Sequence, residues 1–462
     1  MPLLDVSNSL VRVGNTLVKR TYLGSEIQSL IPSELFVNGE QGVWYDPSDL
    51  STLFQDSAGT LPVTAMEQPV GLMLDKSGRG DHAVQATTTA RPVVSARYNL
   101  LQDTMFQDAT TTRKWTNLGL GVMPTYGTHA APDGTMTAVT LTTIGGAATC
   151  YQSFTVTALP FVISFYARLG GTKPTTSFNV RNATTSTNVS FGGFNNSTGA
   201  VSGVGWSRTD VGGGWYRVEN TLSTGFSVGD TAAFYIGFTG VFSVVGKSCI
   251  VWGSDIRLFV DMLNLPAYQR VTSGADYDTV GFPPYLRFDG VDDWMVTPSI
   301  NLGATEIQVN AVLKKLTDAG RQMFFEYGDN SVNSLFLDTG VSTVSHTPGP
   351  FIRLTSRGTG SLSPGMVDIL NVPAPSLQSV FGECSIQNNY TRTWVNGAAY
   401  SNALGVQGGT SYANSPLYLG ARGGISMFFR GRMYQLMLRF GPPSAAIRNA
   451  MIAQGRNARR YF

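Results

Sequence analysis

Charge is scarce in this chain. Asp, Glu, Lys and Arg make up 13% of its 462 residues, against about 25% in an average globular protein, and 32 basic residues nearly cancel 30 acidic ones. Such a balance leaves no electrostatic excess for phosphate backbones or an anionic membrane surface, so neither nucleic acid nor membrane insertion is expected. The one basic concentration, Arg448, Arg456, Arg459 and Arg460, reads as a solvated helix end. Cysteine is nearly absent: Cys150, Cys249 and Cys384 are odd in number and lack metal or redox spacing, so buried free thiols are expected, with a Cys150–Cys249 bridge as the alternative. Long apolar runs are missing as well, since stretches such as 160–167 stop well short of the about 18 residues a membrane helix needs. The opening Met1-Pro2-Leu3-Leu4-Asp5 has neither the basic start nor the apolar stretch of a secretory signal, and folding in a cytosol is expected.

Reactive constellations are equally sparse. His82, His129 and His346 are far apart and have no neighbouring Cys or spaced carboxylate, which argues against a metal cage and a serine-type triad. A phosphate loop of the Walker kind is missing. No heptad repeat is visible, so any oligomer is not held by a coiled coil in this chain.

What the chain has instead is turn material: 52 glycines and much Thr, Ser and Asn, a composition that favours strands and tight turns over helices. The length calls for two or three domains. From Trp44 onward short apolar segments alternate with turn residues, the spacing of all-β sandwiches. In the segment 161–168, Ile163, Phe165 and Ala167 fall on one face and the other ends polar. The segment Thr391 to Val395 runs into Asn396-Gly397, a type I′ hairpin signal. Between Met433 and Arg439, Tyr434, Leu436 and Leu438 share a side and read as a late core strand. One helix is convincing, capped by Ser444, carrying Ile447, Met451 and Ile452, and stopped at Gly455. Residues 1–40 form a separate opening, with alternation at Leu10, Val11, Val13, Leu17 and Val18 and a possible helical turn from Glu26 to Leu30.

Three stretches, in order, carry a family likeness: Asp75-Lys76-Ser77-Gly78-Arg79-Gly80-Asp81-His82, preceded by Trp44-Tyr45-Asp46-Pro47-Ser48-Asp49; Tyr285 to Trp294, reading YLRFDGVDDW; and a closing set of Trp394-Val395-Asn396-Gly397, Leu417 to Arg422 and Phe429 to Tyr434. Together they resemble the laminin-G-like, concanavalin-type lectin domains found in phage tail and other virion proteins. About 200 residues separate the first stretch from the second, where the family has a loop of a few tens. The intervening residues, from Asn99-Leu100-Leu101 through Pro132-Asp133-Gly134-Thr135 to Gly213-Gly214-Trp215-Tyr216-Arg217 and Val251 to Asp255, resemble a carbohydrate-binding-module-like jelly roll. Such insertions are tolerated where the guest's termini lie close together. The expected fold is therefore all-β: a discontinuous concanavalin-like β-sandwich over 41–96 and 270–445, an inserted jelly-roll β-sandwich over 97–269, an N-terminal attachment arm over 1–40, and a C-terminal helix and tail over 446–462.

The resemblance implies a bacteriophage virion protein, a tail fibre, spike or tail-tip component located in the virion. It would dock on other virion proteins through its N-terminal arm, bind host surface polysaccharide, and assemble as a homo-oligomer, with a trimer expected. A purely architectural decoration or baseplate role and a capsule-degrading glycosidase are the alternatives. Concanavalin-type hydrolases need two carboxylates across the scissile bond; the Glu-x-Asp-x-x-Glu strand motif is absent, and the strand-like acids Glu326 and Glu383 have no second carboxylate two residues away, so a non-catalytic protein is expected. Sugar rings stack on aromatic faces. The candidates are Trp206, Trp115, Trp294 and Trp394, with Trp206 in its glycine-rich loop expected to be exposed and Trp215 and Trp252 expected in the core. No cofactor is demanded; calcium is the one candidate, held by Asp75, Asp81, Asp289, Asp292 and Asp293, and turn chemistry at the same acids is the competing reading.

Overall fold

The computed structural model describes residues 35–459, except 108–113, 117–120, 145–148, 238–244, 263–264, 302–303, 330–331, 343–348, 360–363, 405–406 and 408–410, together with four two-residue strands before residue 35. The chain is all-β with one long C-terminal helix and divides into two compact units, Met1–Ser95 with Pro284–Arg460, and Ala96–Pro283. Each is built around a two-sheet, antiparallel β-sandwich, the first discontinuous in sequence and the second inserted within it. No helix among the described residues is long and apolar enough to cross a membrane.

The discontinuous unit packs an eight-stranded sheet against a nine-stranded one. Its two chain segments are joined by strand pairing: Gln41–Tyr45 adds to Arg430–Phe440, and Val93–Ser95 adds to Tyr285–Asp289. Between the sheets lies a core that includes Val43, Tyr45, Leu286, Phe325, Leu337, Leu354 and Leu438. Alternation fails at one informative place in Arg430–Phe440. Its register with Glu306–Lys315 slips between Val312 and Leu313, a bulge that flips the side chains beyond it. Met433 joins Leu436 and Leu438 in the core, and Tyr434 packs its ring on Tyr285 at 5.6 Å, contrary to the shared face read from the sequence.

The Asn396-Gly397 hairpin forms as its residues dictate, with φ of 54° and 83° at the two turn positions and Tyr390–Val395 paired to Ala398–Leu404. The helix Ala445–Arg459 begins where Ser444 Oγ accepts from the amide of Ile447 at 3.2 Å. It runs on through Gly455, which is not a stop. A Cβ at Gly455 would come within 2.4 Å of Ser379 Oγ and 2.7 Å of Asn310 Oδ1, so glycine lets the helix lie close on the eight-stranded sheet. There it shares a small core with Leu35, Phe36, Trp44, Phe381 and Met437. In the arm, Arg12–Val13 pairs with Thr16–Leu17 and Tyr22–Leu23 with Glu26–Ile27. The helical turn expected from Glu26 therefore starts as a strand, and residues 28–30 lie outside the described residues.

The inserted unit packs a six-stranded sheet against a five-stranded one around Phe165, Phe178, Phe194, Phe234 and Trp115. Its strand Phe161–Arg168 is buried on both faces as far as Arg168, the polar end read from the sequence; the outer face is covered by a second cluster in which Tyr166 meets Trp215 and Trp252. The unit extends past residue 269, because 270–283 packs back on its beginning. Thr104 N donates to Val271 O at 2.9 Å, and Ala96 N to Tyr277 Oη at 3.1 Å. Gln269, fully buried, clasps entry and exit, accepting from the amides of Tyr98 and Asn99 and donating to Ala96 O. All three cysteines are buried and unbridged, and burial pushes the Cys249 and Cys384 thiols up to about 12.

Candidate functional site

On the five-stranded sheet of the inserted unit, one row of side chains crosses four strands. Tyr151 on Thr149–Thr155 stands opposite Tyr235 on Thr231–Gly237, Tyr235 opposite Asn179 on Thr175–Asn182, and Asn179 opposite Phe191 on Thr187–Asn195. The strand period of two puts this row on the outer face, because the flanking residues Cys150, Phe178, Phe234 and Ile236 are in the core. The tyrosine rings stack at 4.6 Å between centroids and 26° between planes, and Phe191 is 55% exposed. Three interstrand steps of about 4.8 Å make the row roughly 14 Å long. Beside it runs a row of small residues, Thr149, Gly237, Ser177 and Gly193, so a flat ligand can lie against the rings. Asn179 donates through Nδ2 to Asn188 Oδ1 at 2.9 Å, while its Oδ1 has no hydrogen-bond partner among the described residues. That oxygen is buried between Tyr235 and Phe191.

The tryptophans read from the sequence do not form this platform. Trp206, expected to be exposed, is 8% exposed: its loop is outside, but the ring turns into the core against Phe178 at 4.4 Å, and Nε1 donates to Ser190 Oγ. Trp115 is fully buried, stacked on Phe106 at 4.3 Å and bonded through Nε1 to Asp103 O. Trp394 lies under the Arg448 guanidinium, 5.1 Å from its ring centroid. Trp294 is half-buried in the other unit, 6.1 Å from Tyr418. Trp215 and Trp252 are buried, as their strand patterns imply. The platform residues were findable from alternation: in Thr149–Thr155, Cys150, Gln152 and Phe154 point in and Tyr151 points out.

Of the five acids weighed for calcium, the structure brings three together. Asp289, Asp292 and Asp293 present carboxylate oxygens within 4.8 Å of one another. Asp75 and Asp81 are not in that group; Asp75 accepts from the amides of Trp44 and Ser77 at 2.8 and 2.9 Å. Burial, then the charge of Asp289, pushes Asp293 up to about 7. The turn uses these acids itself: Asp293 accepts from Asp289 N at 2.9 Å, and Asp289 accepts from Val291 N at 2.7 Å. Calcium takes six to eight oxygens, and three carboxylates partly committed to their own amides are turn chemistry first. Chelation is expected to leave the melting temperature unchanged; a rise on adding calcium would reinstate the ion.

Glu326 and Glu383 are both buried, on different sheets, and each is ion-paired, to Arg422 and Arg448. His82 Nδ1 accepts from Asp75 N at 3.0 Å, His129 is half-buried beside Thr128, and His346 lies outside the described residues.

No protein-family model matches the chain, and no curated protein matches it. Solved structures do. The CBM40 of a Ruminococcus gnavus IT-sialidase bound to α2,3-sialyllactose is 13% identical with a TM-score of 0.26, over 32% of this chain and 83% of that one. A heptameric SAP-like pentraxin from Limulus polyphemus is 11% identical with a TM-score of 0.29, over 36% and 80%. Domain 4 of AbnA, a GH43 extracellular arabinanase from Geobacillus stearothermophilus in complex with arabinotriose, is 13% identical with a TM-score of 0.27, over 37% and 77%.

Proposed function

We propose that the chain is a non-catalytic, glycan-binding structural protein of a bacteriophage particle, with the Tyr151–Tyr235–Asn179–Phe191 row as its sugar platform. One observation carries the glycan reading: three rings aligned across four strands on the outer face of the sheet, beside a row of small residues. Pyranose C–H groups stack on such rings, and a few placed polar atoms fix the orientation. The virion reading draws its support from the ordered lectin-type motifs and the short arm that precedes them; repetition on a particle would supply the avidity a shallow platform lacks. The ion pairing of Glu326 and Glu383 supports a binding role over hydrolysis.

The test uses purified protein and host polysaccharide. Tyr235→Ala and Phe191→Ala are expected to weaken binding about ten-fold or more, the loss of one well-placed ring, with the fold intact because neither ring is in the core. Saturating wild-type protein is expected to block phage adsorption, and the variants are expected not to. Retained binding in both variants would remove the platform; no block by wild type would favour an architectural role; release of reducing sugar would bring back an enzyme.

A further inference from the structure

The outer face of the nine-stranded sheet, in the discontinuous unit, carries a concavity that the glycan platform does not use. Arg321, Arg353, Arg357 and Arg422 converge on a cavity of about 170 Å³ that Phe336 and Thr355 also line. This is far more than the roughly 10–15 Å³ that a single water needs. Two of the guanidinium groups are hydrogen-bonded by the same edge, Nε of Arg321 on Asp338 and Nε of Arg353 on Asp368 at 2.5 Å, and Arg422 is ion-paired with Glu326 at 3.4 Å. Two also lie over rings, Arg321 over Phe336 at 5.3 Å and Arg353 over Phe351 at 4.7 Å.

A guanidinium has five N–H donors in a rigid fork. Anchoring the Nε edge on a carboxylate and the plane on a ring fixes the direction of the terminal nitrogens before any ligand arrives, which lowers the entropy lost on binding. Asp338 and Glu326 are fully buried, so they act from within the sheet while the arginines border the cavity. Thr355 is 2% exposed, and its hydroxyl has no partner among the described residues. A buried donor lining a cavity rimmed with cations is costly unless an acceptor completes it. Tyr418, directly opposite Glu326 in the register, lies on the same face, with Trp294 6.1 Å away. Tyr418 is thus the cross-strand neighbour of Glu326, the acid with which Arg422 pairs.

We propose that this cavity binds the oxyanion, carboxylate or sulfate, of an acidic polysaccharide, with the arginines and the Thr355 hydroxyl on the anion and the neighbouring rings against the sugar. Forked Arg contacts suit both oxyanions. The site stands independently of the tyrosine platform.

The experiment measures binding of the full chain to polygalacturonate, sulfated dextran, neutral dextran and inorganic phosphate by calorimetry. At least one acidic polymer is expected to bind more tightly than neutral dextran, with affinity falling as salt rises; the tighter of the two identifies the group. Arg357→Ala is expected to weaken that binding about ten-fold, the loss of one charge-assisted contact. Thr355→Val, which keeps shape and removes only the hydroxyl, is expected to weaken it several-fold and guards against misfolding of the first variant. Binding of both acidic polymers no tighter than that of neutral dextran, binding of inorganic phosphate with neither polymer, or wild-type affinity in both variants would overturn the assignment.

Discussion

Asp255→Ala is expected to destabilise the inserted unit by about 3–5 kcal/mol, the usual cost of leaving one member of a buried ion pair alone. Asp255 and Arg257 lie two apart on Ser248–Leu258, hence on one face, and both are 1% exposed. Arg257 Nε donates to Asp255 Oδ1 at 2.7 Å and Nη2 donates to Oδ2. Asp255 also accepts from Gln269 N at 2.9 Å, which ties the pair to the clasp between the unit's ends. Without the carboxylate, a guanidinium remains in the interior with, among the described residues, Pro266 O, 2.9 Å from Nη1, and the Phe282 ring beside it. Domains are commonly stable by only about 5–15 kcal/mol, so a large share of the margin goes. Hydrogen exchange reads this locally: amides of 96–283 are expected to lose protection and those of 284–440 to keep theirs. Unchanged protection throughout would refute the role given to the pair.

Arg439→Ala is expected to cost a similar amount, about 3–5 kcal/mol, in the discontinuous unit. Arg439, 2% exposed, donates to Leu35 O at 2.8 Å, Gln308 Oε1 at 2.7 Å, Pro442 O at 3.1 Å and Glu40 Oε1 at 2.7 Å. It thus pins the chain entering the first strand to the last strand of the sheet. Burial alone would raise the Glu40 carboxyl, but bonds from its own amide and from Asn38, with the charge of Arg439, hold it below the ordinary glutamate range. A lowered folded value means that the ionised form favours folding. Glu40's contribution is therefore present above the ordinary range and is lost as pH falls through the lowered value. Wild type should lose stability on acidification more steeply than Arg439→Ala, as thermal unfolding between neutral and acid pH would show; parallel curves would dissociate Glu40 from Arg439.

The architecture was legible because strand period, turn chemistry and the interrupted lectin-type motifs all act locally or in order. Asn396-Gly397 needs only its own backbone preferences. The errors arose where a distant partner decides the outcome. Tyr434 left the core through a bulge set by pairing with Val312 and Leu313, and Gly455 looked like a helix stop because Ser379 and Asn310, which demand a small residue, are remote in sequence. The aromatic row on the five-stranded sheet is not legible for a chemical reason: tryptophan is the stronger stacking signal in a sequence, and the large rings of Trp115 and Trp206 serve as core. Tyr151 and Tyr235 carry no local mark beyond parity, and their alignment with Asn179 and Phe191 exists only once the four strands are ordered.

The pairing of Gln41–Tyr45 with Arg430–Phe440 also imposes a schedule on synthesis. Gly42 waits for Arg439, roughly 400 residues later, which at about 5–20 residues per second is some 20–80 s on the ribosome. Throughout that interval an apolar early strand has no mate, while the nested sandwich can emerge complete and fold. Nascent chains would therefore be most exposed to sticking and proteolysis at their beginning, and slowing translation should lengthen that vulnerable period.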